Sequence, residues 1–166
     1  MSPALAALRD DLIVGEITDR TEFAPGLALL ADPALGARGS WRSPAGRLLE
    51  LDIATAGRGD WIALHLTLDL PDLTPLTYFG FACTGVAPQA HVIHPCLRSG
   101  GPEGGFSDAF FDRHILTRTD PVAHVDALHL PTRRRVPPLA PWRELVLFLP
   151  TVSLCWHLHD LRVFTA

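Results

Sequence analysis

From residue 48 to the end of the chain, apolar and polar residues alternate with a period of two. Leu49, Leu51 and Ile53 alternate with Glu50 and Asp52, the pattern of a strand with one buried face. Between Trp61 and Leu70 the alternation is longer. Ile62, Leu64, Leu66 and Leu68 point one way, Trp61, His65, Thr67 and Asp69 the other, and Pro71 ends the run. Further strands are predicted over residues 76–84, 90–98, 110–118, 122–130, 144–149 and 152–165, the last with a break or bulge near Asp160. Short strands punctuated by Gly and Pro turns predict an antiparallel sandwich or barrel. The regular helical segments that a parallel α/β fold requires are missing.

The N-terminal part is less regular. Ser2 and Pro3 predict a cap and first position of a short helix reaching about Arg9. Residues 21–47 are rich in Pro, Gly and Ala and are expected to wrap the domain as loops, a short helix or an edge strand. The expected organisation is one domain over residues 1–166, with an irregular wrap over 1–47 and a strand-rich core over 48–166.

Composition agrees with a cored domain. The chain has 166 residues, 48% of them hydrophobic and 19% charged, against a usual charged share of about 25%, which excludes wholesale disorder. There is no lysine and no asparagine, so every fixed cation is an arginine and no N-glycosylation sequon exists. A net charge of −4 argues against nucleic acid as a partner. Arg133-Arg134-Arg135 is the only basic run, and among Pro131, Pro137 and Pro138 it reads as a solvated loop. Cys83, Cys96 and Cys155 are odd in number, widely spaced and without a CxxC, which fits buried thiols in a reducing compartment. The N-terminus carries no basic leader, and no apolar run reaches the ~18 residues that cross a bilayer. A cytoplasmic protein without membrane insertion is expected.

Three segments carry candidate chemistry. In Leu154-Cys155-Trp156-His157-Leu158-His159-Asp160, alternation puts Cys155, His157 and His159 on one face and Leu154, Trp156 and Leu158 on the core face. Two such imidazoles, roughly 6–7 Å apart along a strand, can share zinc or another transition metal if a neighbouring strand supplies a further ligand. His65, His124 and His129 are the candidates. The second segment, Arg98 to Asp108, is a glycine-rich loop suited to the rim of a binding site, without the Gly-Lys-Ser/Thr ending of a phosphate loop. Ser107 is not in a Gly-x-Ser-x-Gly elbow. The third is the aromatic set, Trp41, Trp61 and Trp142. Sugars bind with a C–H face on an aromatic ring and hydroxyls bonded to carboxylate, Arg or His, the mix found in small-molecule sites. Trp61, His65, Asp69, His157 and His159 form such a surface if the first and last clear strands share a sheet, and Arg98 joins them as a ligand-binding candidate. No local motif nominates a catalytic triad.

The closing segment His159-Asp160-Leu161-Arg162-Val163-Phe164 resembles the last strand of galactose-binding-type jelly rolls, which include many carbohydrate-binding modules and often end in Asp-hydrophobic-x-Val/Ile. Gly59-Asp60-Trp61-Ile62-Ala63-Leu64 looks like a sandwich strand of such modules. The resemblance covers the pattern from about residue 47 onward. It implies an all-β, two-sheet jelly roll that binds glycans at a concave sheet face or at the loop rim. It also implies a structural calcium held by the closing Asp160, with Glu16 as partner, although calcium takes six to eight oxygens. The expected role is non-catalytic, lectin-like binding of carbohydrate or another small molecule, linked in a cytoplasmic protein to polysaccharide assembly. Two alternatives stand beside it. One is a metal-dependent cupin-like or β-sandwich enzyme using the His-x-His strand, although the Glu and the second Gly-rich His motif of cupins are missing. The other is an assembly domain whose apolar surface forms a homo-oligomer.

Overall fold

The computed structural model describes residues 5, 6, 8 and 12–166. Ser2, Pro3 and Arg9, which bound the expected N-terminal helix, lie outside the described residues. Among the described residues the alternation resolves into thirteen strands: β1 (Ile13–Ile17), β2 (Arg20–Ala24), β3 (Leu27–Ala31), β4 (Arg38–Ser43), β5 (Leu49–Ala54), β6 (Ile62–Leu68), β7 (Tyr78–Val86), β8 (Val92–Gly100), β9 (Phe106–Phe110), β10 (Ile115–Leu116), β11 (Val122–His129), β12 (Arg143–Phe148) and β13 (Leu154–Thr165). All pairings are antiparallel. The first sheet runs β1-β4-β5-β13-β7-β11 and the second β10-β8-β12-β6-β3-β2, with β9 continuing the edge beside β8. The two sheets close on one hydrophobic core as a jelly-roll sandwich.

The expected irregular wrap over residues 1–47 is a correction. Residues 13–43 hold four strands and a 3-10 turn at Pro33–Leu35. Leu27 and Leu29 of β3 are fully buried against the core, and the strand pairs with β6. Trp41 lies in the middle of β4, buried, edge-on to Phe23 at 4.8 Å. Small residues at alternate positions read as loop composition, yet they suit strands whose neighbours supply the bulk.

The closing strand keeps the predicted alternation. Leu154, Trp156 and Leu158 are buried, and the register shifts between Leu158 and Asp160. This bulge adds one residue, so the next core side chain is Leu161 rather than the even-numbered position.

In β12, alternation places Arg143 in phase with Leu145 and Leu147, on the core side. Arg143 has no exposed surface. Its Nε donates to the Leu70 carbonyl (2.8 Å) and Nη1 to Ser99 Oγ (2.5 Å). Its Nη2 donates to the carbonyls of Pro137 (2.6 Å) and Pro138 (3.1 Å). Burial pushes the guanidinium below its ordinary value, opposed by the charge of Asp72, but arginine stays protonated in proteins. The segment it grips is also tied by Leu73 N–H to Pro138 O (2.8 Å) and Ala140 N–H to Pro71 O (2.9 Å).

Replacing this side chain leaves four acceptors without their donor, one of them, Ser99 Oγ, on a buried residue. Arg143→Met is expected to cost about 1–3 kcal/mol in urea unfolding, the range for leaving buried polar partners unpaired. A loss below about 1 kcal/mol would show that the loop is held by its backbone bonds alone.

Candidate functional site

The outward residues of the second sheet form one continuous surface. On β12 these are Glu144, Val146 and Phe148. The register sets Glu144 between Arg98 and Thr67, Val146 between Cys96 and His65, and Phe148 between His94 and Ala63. β9 adds Asp108 beside Arg98, Phe110 beside Cys96 and Phe106 beside Gly100. At the centre Ala63, Cys96 and Val146 make a small second apolar cluster with Phe148 packed against it. Burial pushes the Cys96 thiol up to about 12, with Asp108 adding to the effect, so it is a packing residue and not a nucleophile.

Two polar pairs stand on this apolar base. Arg98 makes a two-pronged bond to Asp108, Nε to Oδ1 at 2.7 Å and Nη2 to Oδ2 at 2.8 Å. The Asp108 bond holds the Arg98 guanidinium above its ordinary value. The same guanidinium lies 3.9 Å above the Phe106 ring centroid and 5.7 Å from that of Phe148, within cation–π reach. His65 Nδ1 meets Glu144 Oε2 at 2.8 Å. The opposite nitrogen, His65 Nε2, is buried with no hydrogen-bond partner. A buried polar atom left open this way marks a place for water or a ligand. Beside it a hollow of about 210 Å³ is lined by His65, Glu144, Thr67, Arg20 and Glu22.

Four aromatic side chains on or flanking the surface are exposed: Phe106 (58%), Phe110 (47%), Trp142 (39%) and, at the far end of β6, Trp61 (39%). The Phe110 and Phe148 rings are 5.9 Å apart. The Trp142 indole lies over Gly100, where an added Cβ would collide with it. Phe106 is delivered by the β8–β9 turn, in which Gly104 (φ 97°) and Gly105 (φ 72°) adopt the left-handed backbone that favours glycine. The glycine-rich segment is thus a tight turn that sets an aromatic residue on the face.

The structure divides the residues singled out in the sequence. His65 and Arg98 lie on this face, and Trp61 and Asp69 are in phase with His65 at the two ends of β6. Trp61 and Asp69 are roughly 26 Å apart at ~3.3 Å per residue, so they bound the face rather than meet. His157 and His159 are on β13, in the first sheet, and do not join them. The assumed shared sheet fails because β6 pairs with β3 and β12, while β13 pairs with β5 and β7. The sequence reading missed Phe106, Phe110, Glu144 and Phe148. The alternation of Arg-Glu-Leu-Val-Leu-Phe over 143–148 carried the signal for Glu144 and Phe148.

On the first sheet the outward row Val14–Arg42–Glu50–His157 crosses β1, β4, β5 and β13. The Glu50 side chain is buried but bonded to Arg42, with Arg47 Nη1 at 3.2 Å and His157 Nδ1 at 3.7 Å. Burial raises the Glu50 carboxyl, but the Arg42 hydrogen bond and the charges of His157, Arg42 and Arg47 outweigh it, and the net direction is down. Cys155 Sγ lies 3.7 Å from His157 Nε2. Burial, Asp52 and Glu50 push the Cys155 thiol up, so it stays protonated at neutral pH. Burial, Arg47 and His157 push the His159 imidazole down, outweighing Glu50.

The expected metal sites do not assemble. Glu16 lies on β1, three strand spacings from β13, roughly 14 Å at ~4.8 Å each. Asp160, bonded to Arg162 Nε at 2.7 Å, therefore cannot share a calcium with it. For zinc or another transition metal, His65 is in the other sheet, and His124 and His129 are on β11, beyond β7. Among the described residues, no group of three His, Cys, Asp or Glu is placed to hold a metal ion. None of the described helices is long and apolar enough to cross a membrane.

The sequence matches no family model and no curated protein. Solved structures do match in fold. One is the CBM22-1 xylan-binding domain of Xyn10C from Paenibacillus barcinonensis, at a TM-score of 0.52 and 10% identity, covering 94% of this chain and 95% of that one. Another is a family 30 carbohydrate-binding module, at a TM-score of 0.50 and 14% identity, covering 95% of this chain and 85% of that one. The fold is that of a carbohydrate-binding-module β-sandwich, as the resemblance of the closing strand implied.

The lowered Glu50 carboxyl sets a pH dependence. Its stabilisation is complete above the ordinary value of 4.5 and is lost as pH falls through the lower, folded value. The thermal midpoint of Glu50→Gln should therefore fall less than that of the wild type between about pH 6 and pH 3. An equal fall in both proteins would remove Glu50 from the acid response.

Proposed function

We propose that the protein binds carbohydrate on the outer face of the second sheet. The observation that carries this reading is the set of exposed rings, Phe106, Phe110 and Trp142, around two planar polar pairs, Arg98–Asp108 and His65–Glu144. An aromatic face takes the C–H side of a pyranose, and the carboxylates and the open His65 Nε2 take its hydroxyls. The fold shared with a xylan-binding domain and a family 30 module supports the reading. The binding is lectin-like and non-catalytic. Thiols pushed up in pKa support this in place of nucleophilic chemistry. A cytoplasmic role in polysaccharide assembly is the finer part of the proposal, and the three unbridged cysteines support a reducing compartment.

The test is a glycan array followed by calorimetry on the best ligand. Phe106→Ala and Trp142→Ala should each weaken binding about tenfold, the equivalent of 1.4 kcal/mol. Val125→Ala, an exposed position on the other sheet, should leave it unchanged. A silent array across neutral and acidic glycans would overturn the proposal.

A further inference from the structure

The segment Arg133-Arg134-Arg135 leads from β11 toward β12 and meets the face just described at its β9 edge. Ser107 Oγ of β9 donates to the Arg135 carbonyl at 2.9 Å. Two tight turns, Arg133 N–H to Leu130 O (3.0 Å) and Val136 N–H to Arg133 O (3.1 Å), fix the run at both ends. The next two carbonyls, of Pro137 and Pro138, are the ones held by Arg143. The run is a solvated loop, as expected, with Arg134 and Arg135 exposed, but its backbone is anchored rather than free.

Between this run and β9 lies a cleft of about 360 Å³, with Asp108 and Phe110 on one wall and Thr132 and the three arginines on the other. Asp108 is already committed to Arg98 through both carboxylate oxygens. Arg133 bonds Asp112, while its Nε is buried with no hydrogen-bond partner. Arg134 and Arg135 are exposed, and among the described residues neither side chain has an ion-pair or hydrogen-bond partner. A chain with a net charge of −4 thus concentrates its only run of cations beside an exposed ring of its candidate sugar platform.

We infer that this cleft selects the ligand, and that the protein binds an acidic polysaccharide whose carboxylate sits among Arg133, Arg134 and Arg135 while its ring lies on Phe110. The inference rests on the carbohydrate-binding reading above and assigns its ligand class. The guanidinium fork matches a carboxylate through two parallel N–H···O bonds, which suits a uronic acid. Hydroxyl recognition by Glu144 and His65 supplies the part of the contact that charge alone does not.

Binding is measured by calorimetry and affinity electrophoresis with polygalacturonate and glucuronoxylan, against neutral xylan and β-glucan, at low and high salt. The wild type should prefer the uronate-bearing polymers at least tenfold, and the preference should shrink as salt rises. Arg134→Gln/Arg135→Gln should remove the preference and leave residual binding of neutral glycan, with an unchanged thermal midpoint because both side chains are exposed. Phe106→Ala should weaken binding to both classes. Equal binding of neutral and uronate polymers, insensitive to the double variant, would overturn the inference and leave carbohydrate binding intact. Binding to no glycan would overturn both. Equal competition by single-stranded DNA would also overturn the inference, since it would make the run a general polyanion patch.

Discussion

The buried guanidinium of Arg143 is the constraint on which the functional face depends. A cation taken out of water costs several kcal/mol unless its donors are bonded. Arg143 meets that demand with four acceptors drawn from three places: the end of β6, Ser99 of β8 and the proline segment before β12. Proline suits the last of these. Its carbonyl remains an acceptor, and its ring fixes φ so that the acceptor stays in place. Alternation then does the rest. With Arg143 turned inward, Trp142 turns out over Gly100 and Glu144 turns out toward His65 and Arg98. One inward side chain thus aims the two outward neighbours that flank it and anchors the loop that carries the arginine run.

The two outer faces of the sandwich differ in what they offer. The first sheet gathers its polar groups around the Glu50 carboxylate, which is satisfied by Arg42, Arg47 and His157. Those bonds are internal, and the Cys155–His157 pair beside them keeps its thiol protonated. On the second sheet the Arg98–Asp108 pair lies against the Phe106 ring, and the unpartnered His65 Nε2 stands on the same face as the exposed Phe106, Phe110 and Trp142 rings.

Much of this was legible in the sequence. The buried set of β13, the outward direction of Cys155, His157 and His159, and the irregularity at Asp160 follow from alternation alone. So does the outward position of His65. Residues 13–43 were not legible as strands, because the runs are only five or six residues long, are interrupted by Gly and Pro, and owe their order to pairings such as β3 with β6 and β4 with β5. The solvated position of the arginine run was legible, but its anchoring was not, for a related reason. Its neighbours in sequence are prolines, but the groups that anchor it, Ser107 and Arg143, lie on β9 and at the start of β12.

The sequence by itself determined where the chain is extended and which side chains leave the core, because a period of two is a local property of the backbone. It did not determine which strands are neighbours. That choice was made by packing two sheets around one core, through pairings such as β3 with β6 and β12 with both β6 and β8. The sheet assignment separated His157 from His65 and brought Arg98, Glu144 and Phe148 together. A side chain's direction is set by its own strand, but its company is set by contacts between residues far apart in the chain.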